Sequence, residues 1–274
     1  MIELKLRIGK IPFANLFPIF YTLENEFDCS AYDFVEGVPS QLNAMLREGV
    51  IDLSPSSSVE YLRNPSVYGF IDGISISSRG PVGSIFLFSK RPVEQLDGGT
   101  IYVTSQSATS VALLEVVLRR FYGIKYSSAV SANPEASGAD AFLLIGDEAL
   151  IYRSRKSGFR TCGTEDASCP YEYFYDLGQV WYERTGLPFV FALWIVRNEL
   201  YQRDDPRHDI FRRFVDDLMK AKQRSLENLP EIAENSPMKA FMSKEEIIEY
   251  WNKLDYDLSD DHKKGMYLFR DWIP

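Results

Sequence analysis

An α/β protein of two lobes with a ligand cleft between them, followed by a helical C-terminal tail, is the architecture this sequence predicts. Three observations lead to it. Short apolar strands alternate with amphipathic stretches in βαβα order, which builds a largely parallel sheet. The alternation occurs once near the start of the chain and again from about residue 100. Two punctuated segments, Lys90-Arg91-Pro92 and Gly186-Leu187-Pro188, read as points where the chain crosses between units. A chain of 274 residues with 45% hydrophobic content suffices for about two domains of ~100 to 200 residues each. The expected division is a discontinuous lobe, 1–88 with 190–274, around an inserted lobe, 89–189. One large doubly wound sheet with a helical tail is the alternative topology.

The elements follow in order. Leu4, Leu6 and Ile8 alternate as a strand, and 13–23 has helical periodicity. Residues 29–35 form a second strand. Residues 39–48 form a helix with Leu42, Met45 and Leu46 on one face and Gly49 as its stop. Ile51-Asp52-Leu53 is a short strand leading into a serine-rich turn at 54–60. Residues 70–88 are strand-rich, with turn chemistry at Arg79-Gly80-Pro81. Beyond them come a strand at 100–104, a helix at 108–122, a strand at 141–145, a helix at 176–184 and a strand at 189–196. From about 205 the chain is charged and helical, with a capping box at Ser243-Lys244-Glu245-Glu246 and a helix-compatible stretch at 254–272.

Composition removes several function classes. A formal net charge of −9 with no basic stripe argues against nonspecific nucleic-acid binding. Apolar runs such as 187–196 are too short to span a bilayer, so no membrane partner is expected. The N-terminus enters a strand pattern without an apolar leader, which predicts a cytoplasmic protein. Cys29, Cys162 and Cys169 form no CxxC pair and read as reduced thiols. The two histidines, His208 and His262, lie in charged C-terminal segments and offer little for a metal site or a Ser-His-Asp triad.

The chemistry-bearing residues cluster where strands end. Ser105-Gln106-Ser107-Ala108-Thr109-Ser110 separates a strand from a helix and reads as an anion cradle or as an ordinary Ser/Thr N-cap. It contains no Lys or Arg, which suits a carboxylate better than a phosphate. Ile11-Pro12-Phe13-Ala14-Asn15 and Ser56-Ser57-Ser58 occupy equivalent positions after other strands, and such turns face the ligand crevice of open α/β sheets. Ser57-Ser58-Val59-Glu60 also fits a capping box, and Asn15 also fits a turn. Between apolar strands, Ser77-Ser78-Arg79-Gly80-Pro81-Val82-Gly83-Ser84 leaves hydroxyls and N–H groups at its rim; Arg79 is assigned to solvent and Ser84 to the site. Asp147, after Ile145-Gly146, is equally a helix cap and a general base. Tyr171, Tyr173, Phe174, Tyr175, Trp181 and Tyr182 read as packing or as a cleft wall, and no glycine fingerprint for a dinucleotide is present.

Taken together, residues 7–15, 76–78, 80–84, 104–114, 144–150, 176–181 and 185–194 resemble the chorismate dehydratases of the futalosine menaquinone pathway. The resemblance covers about the first 200 residues. Phe13-Ala14 and Arg79 depart from the commoner Tyr-Leu and acidic residue. It implies a fold similar to the type 2 periplasmic binding proteins, and dehydration of chorismate to 3-[(1-carboxyvinyl)oxy]benzoate without a cofactor. It also implies that Asn15 and Ser84 orient the reacting groups. Ser56, Ser57, Ser78, Gly83, Ser107, Ala108, Thr109 and Ser110 then hold the substrate, and Asp147 is the rival to the substrate's own carboxylate as base. A sister family acting on cyclic dehypoxanthine futalosine is expected to carry a histidine base where this chain has Gly146-Asp147. A non-catalytic small-carboxylate binding protein is the alternative from another class.

Overall fold

The computed structural model describes residues 4–104, 107–131, 138–157 and 171–273, with the backbone alone at 155–157. Two five-stranded sheets form the two lobes. The first contains β1 (Leu6–Lys10), β2 (Tyr32–Glu36), β3 (Leu53–Ser57), β4 (Tyr68–Ser78) and β10 (Phe189–Arg197), in the order β2-β1-β3-β10-β4. The second contains β5 (Ile85–Ser89), β6 (Thr100–Val103), β7 (Ser127–Val130), β8 (Ala141–Ile145) and β9 (Tyr173–Asp176), in the order β7-β6-β8-β5-β9. Each sheet has a parallel trio and one antiparallel inner strand. In both, that inner strand is the one the chain reaches directly after crossing from the other lobe.

The first crossing is therefore the turn 79–84, ahead of β5. The sequence placed it at Lys90-Arg91-Pro92 and drew the lobe boundary after residue 88. Residues 85–89 in fact pair with β8, Ile85 opposite Ile145 and Ser89 opposite Ala141. An apolar run reads alike in either sheet, and only this distant pairing decides. The second crossing is 186–188, so Phe189 belongs to β10 in the first sheet and the boundary shifts by a residue.

Helices cover both sheets: α1 (Phe17–Glu26), α2 (Pro39–Glu48) and α3 (Ser58–Arg63) in the first lobe, and α4 (Ala108–Glu115), α5 (Gly146–Ser157) and α6 (Leu177–Thr185) in the second. Gly49 stops α2 in a left-handed conformation, as its position predicts. α1 starts four residues later than the periodicity implied, which leaves Asn15 in a turn. β3 runs on through Ser54-Pro55-Ser56-Ser57, read from sequence as a turn. The tail forms α7 (His208–Glu227), α8 (Leu229–Glu234), α9 (Lys244–Lys253) and α10 (Asp260–Arg270). The Ser243–Glu246 capping box starts α9. Residues 254–259 are not helical: Asp255 bridges Ser77 at the edge of β4, exchanging both backbone hydrogen bonds. Among the described residues, no helix is long and apolar enough to cross a membrane.

One carboxylate fixes the crossing. Asp176 accepts hydrogen bonds from Val82 N at 3.1 Å and Gly83 N at 2.7 Å, and caps α6 by accepting from Gly178 N and Gln179 N. Gly83 has φ +75°, a conformation that a residue with a Cβ would resist. Burial pushes the Asp176 carboxyl up, and the four N–H groups oppose that shift.

Two tests follow from the packing. A Cβ at Gly265 of α10 would fall on the Pro188 carbonyl oxygen, well inside contact distance. An ordinary helix-interior Gly→Ala stabilises by roughly 0.5–1 kcal/mol, so Gly265→Ala has the opposite sign. Urea unfolding should show a loss of about 1–3 kcal/mol, and a gain would contradict the close approach. Asp255 supplies the second test. Burial raises its carboxyl, but hydrogen bonds from His262, Asp257 N and Arg79 outweigh this and bring it from 3.8 to about 2. Because the folded value lies below the unfolded one, this group's stabilisation is present above about pH 4 and is lost as pH falls toward 2. Asp255→Asn should flatten that part of the acid unfolding curve, and an unchanged curve would contradict the assignment.

Candidate active site

The strand-end turns converge on a cavity of about 80 Å³ between the lobes. Asn15, Ser56 and Ser57 reach it from the first lobe, Ser107, Ser110 and Gly146 from the second, and Ser84 from the crossing turn. Ile11, Phe13, Ile76 and Phe191 supply apolar walls. None of its described lining residues is charged, so an anion here meets hydroxyls, an amide and backbone dipoles. Asn15 Oδ1 and Ser56 Oγ are buried and have no hydrogen-bond partner among the described residues. Buried polar atoms are nearly always paired, so two orphans on one cavity mark a place for a polar ligand.

Ser107 caps a helix and also lines the cavity. Its Oγ caps α4 by accepting from Ser110 N at 3.2 Å and lies 3.0 Å from Ser110 Oγ, while both residues line the cavity. Ser105 and Gln106 of the same run lie outside the described residues, as do Cys162 and Cys169.

Several other residues of the expected site lie off this cavity, and three of them bond within the frame. Ser78 Oγ donates to Gly80 O at 2.8 Å within the crossing turn. Gly83 N is held by Asp176, and Gly83 does not line the cavity. Ala108 is exposed at the first turn of α4 and also lies off the cavity. Thr109 joins the lobes: its Oγ1 meets Ser57 Oγ in a short hydrogen bond and accepts from Val59 N at 3.2 Å. A hydroxyl at a turn satisfies backbone as readily as ligand, and its sequence position does not distinguish the two.

Asp147 reaches across to the first lobe and does not cap its own helix. Its Oδ1 accepts from Ala14 N at 3.0 Å across the cleft. It lines a neighbouring, mainly apolar pocket of about 210 Å³ with Phe13, Phe17 and Met238. Burial raises its carboxyl, the Ala14 N–H opposes this, and Glu148 adds to the rise. Arg79 is half-exposed and paired with Asp255 at 3.0 Å, away from the cavity. Tyr171 packs on Phe142 and Trp181 on Phe189 and Phe269, which makes them core. His208 bonds to Leu200 O and His262 to Ser259, and neither lines the cavity.

The tail, to which the sequence assigned no role, backs the site. Trp251 Nε1 donates to Ala14 O at 2.8 Å, Tyr256 Oη donates to Asn15 O at 2.8 Å, and Tyr250 Oη donates to Ser84 Oγ at 3.1 Å. The one signal was the apolar face of α9, where Ile247, Tyr250 and Trp251 are buried.

A sequence model of the family described as menaquinone biosynthesis matches residues 6–273. The chain belongs to that family. It is 28% identical over 271 residues to a chorismate dehydratase of Thermus thermophilus, covering 96% of this chain and 93% of the relative. It is 30% identical over 189 residues to a chorismate dehydratase of Campylobacter jejuni, covering 67% and 64%. Among solved structures, a protein from Archaeoglobus fulgidus aligns with TM-score 0.73 at 16% identity over 97% of each chain. The periplasmic aliphatic sulphonate binding protein of Escherichia coli aligns with TM-score 0.66 at 12% identity, over 98% of this chain and 91% of that one. These structural likenesses establish the fold: two α/β lobes of the periplasmic-binding-protein kind.

The link between lobes is testable at Thr109. Thr109→Val keeps the shape and leaves the buried Val59 N–H without its acceptor, which costs about 1–3 kcal/mol. Chemical denaturation should show that loss together with faster amide exchange at Val59. Unchanged stability would contradict the link.

Proposed function

We propose that this chain is a chorismate dehydratase, a hydro-lyase that converts chorismate to 3-[(1-carboxyvinyl)oxy]benzoate and water. The observation that carries the reading is a cavity ringed by Asn15, Ser56 and Ser84, with no charged group among its described lining residues, in a chain similar over nearly its whole length to a chorismate dehydratase.

The substrate's own chemistry leaves the protein modest work. The C3 proton is acidified through the conjugated ring carboxylate, and expulsion of the C4 hydroxyl yields an aromatic ring. The C3 proton passes to the substrate's side-chain carboxylate, the C3–H electron pair becomes the new ring π bond as the C4–O bond breaks with its own pair, and the carboxyl returns the proton to the departing oxygen, which leaves as water. Holding an internal base against its proton supplies high effective molarity, so positioning accounts for most of the acceleration. Asn15 and Ser84 orient the enolpyruvyl group and the leaving hydroxyl, and Ser56 with the Ser107 end of α4 holds carboxylate. The cavity lies between the lobes, and parting of the lobes admits the substrate. Asp147 acts as a latch that holds the Asn15 turn once they close.

Purified protein with chorismate alone should yield, by mass spectrometry, a product lighter by one water with an aromatic absorbance; unchanged chorismate would reject the reading. Asn15→Ala and Ser84→Ala should each lower turnover by roughly a hundredfold, the scale of one lost preorganised donor. Asp147→Asn keeps an acceptor for Ala14 N–H and should stay within about tenfold of the parent. A loss of about 10³-fold or more at unchanged KM would make Asp147 the base.

A further inference from the structure

Ser84 has a single proton to give, and its neighbours determine where that proton points. Its backbone is fixed on both sides: its carbonyl accepts from Gly146 N at 2.8 Å, and the preceding Gly83 is held by Asp176. Its hydroxyl faces the cavity on one side and Tyr250 on the other, at 3.1 Å. Tyr250 comes from α9, 166 positions away, and is 3% exposed. Among the described residues, Ser84 Oγ is the one acceptor within reach of the Tyr250 hydroxyl. A buried O–H left without an acceptor is costly, so its proton goes to Ser84. Burial pushes the phenol up, as do the nearby Asp147 and Asp176 carboxylates, while the contact with Ser84 works the other way. The net rise keeps Tyr250 protonated at neutral pH.

We propose that Tyr250 is a positioning residue for the dehydration: by donating to Ser84 Oγ, it directs the Ser84 proton into the cavity, toward the departing C4 oxygen. A serine hydroxyl rotates freely and donates or accepts with equal ease. With one lone pair occupied by Tyr250, the orientation that remains makes Ser84 a donor to that oxygen. Ser84 stabilises negative charge as the C–O bond breaks and returns to its starting state. The leaving hydroxide is neutralised by the proton taken from C3, so no additional proton source is needed. The inference rests on the dehydration reading and extends it to a residue in the tail.

The test is a double-mutant cycle in kcat and KM with chorismate. Tyr250→Phe retains the ring and removes only the donor. It should lower kcat by about tenfold and leave KM within about twofold, with a thermal midpoint near the parent's. In a Ser84→Ala background, which has no hydroxyl to orient, the same substitution should change kcat by less than twofold. A purely structural role predicts an equal loss in both backgrounds, and that result would overturn the proposal. So would a Tyr250→Phe enzyme with the parent's kcat. Incorporating 3,5-difluorotyrosine at position 250 keeps both ring and hydroxyl while strengthening the donor. It should shift kcat severalfold without moving KM, and an unchanged kcat contradicts the proposal even if Tyr250→Phe proves unstable. A parent protein that leaves chorismate unchanged rejects the dehydration reading itself. An active parent with an insensitive Tyr250 rejects this inference alone.

Discussion

The carboxylate of Asp176 is the constraint from which the site follows. It collects two N–H groups from the first interlobe crossing and two from the start of α6, the helix that leads into the second. A part-buried carboxylate is stabilised when so satisfied, and the requirement works in reverse on the loops: their amides lie where this one group can receive them. Ser84 follows directly on the clamped pair, so its place at the cavity is inherited from Asp176. Gly146 and Tyr250 each bond to Ser84, while Asp147, Trp251 and Tyr256 hold the Asn15 turn on the same cavity.

Much of this was legible in the chain because the polar residues sit where α/β topology makes strands end. Asn15, Ser56, Ser84, Ser107 and Ser110 were identified in that way and do share one cavity. Ser78, Gly83 and Thr109 fit the same pattern but serve the frame, because a hydroxyl or amide at a turn can satisfy backbone as well as ligand. The lobe boundary failed for a related reason. Residues 85–89 are apolar in a manner suited to either sheet, and their membership depends on pairing with 141–145. The roles of Tyr250, Trp251 and Tyr256 are not legible in sequence because their partners lie 166, 237 and 241 positions away. No local period or spacing encodes such contacts.

The absence of charge from the described cavity lining bears on how such a site can work. Hydroxyls, an amide and a helix start bind a carboxylate less tightly than an arginine clamp would, and leave it more basic. That suits a reaction in which the substrate's own carboxylate takes the proton. The protein's contribution is then geometric: two lobes, a clamped crossing and a tail that together hold a few neutral groups in place. A solute-binding architecture needs little alteration for this, since closing on a ligand already orients it.

The most direct test of this account is a crystal structure of the Asn15→Ala protein with chorismate bound. The account predicts chorismate between the lobes, with its C4 oxygen at Ser84 and with Asp147 still bonded to Ala14 N–H. Chorismate seated elsewhere, or Asp147 turned to reach the C3 proton, would contradict it.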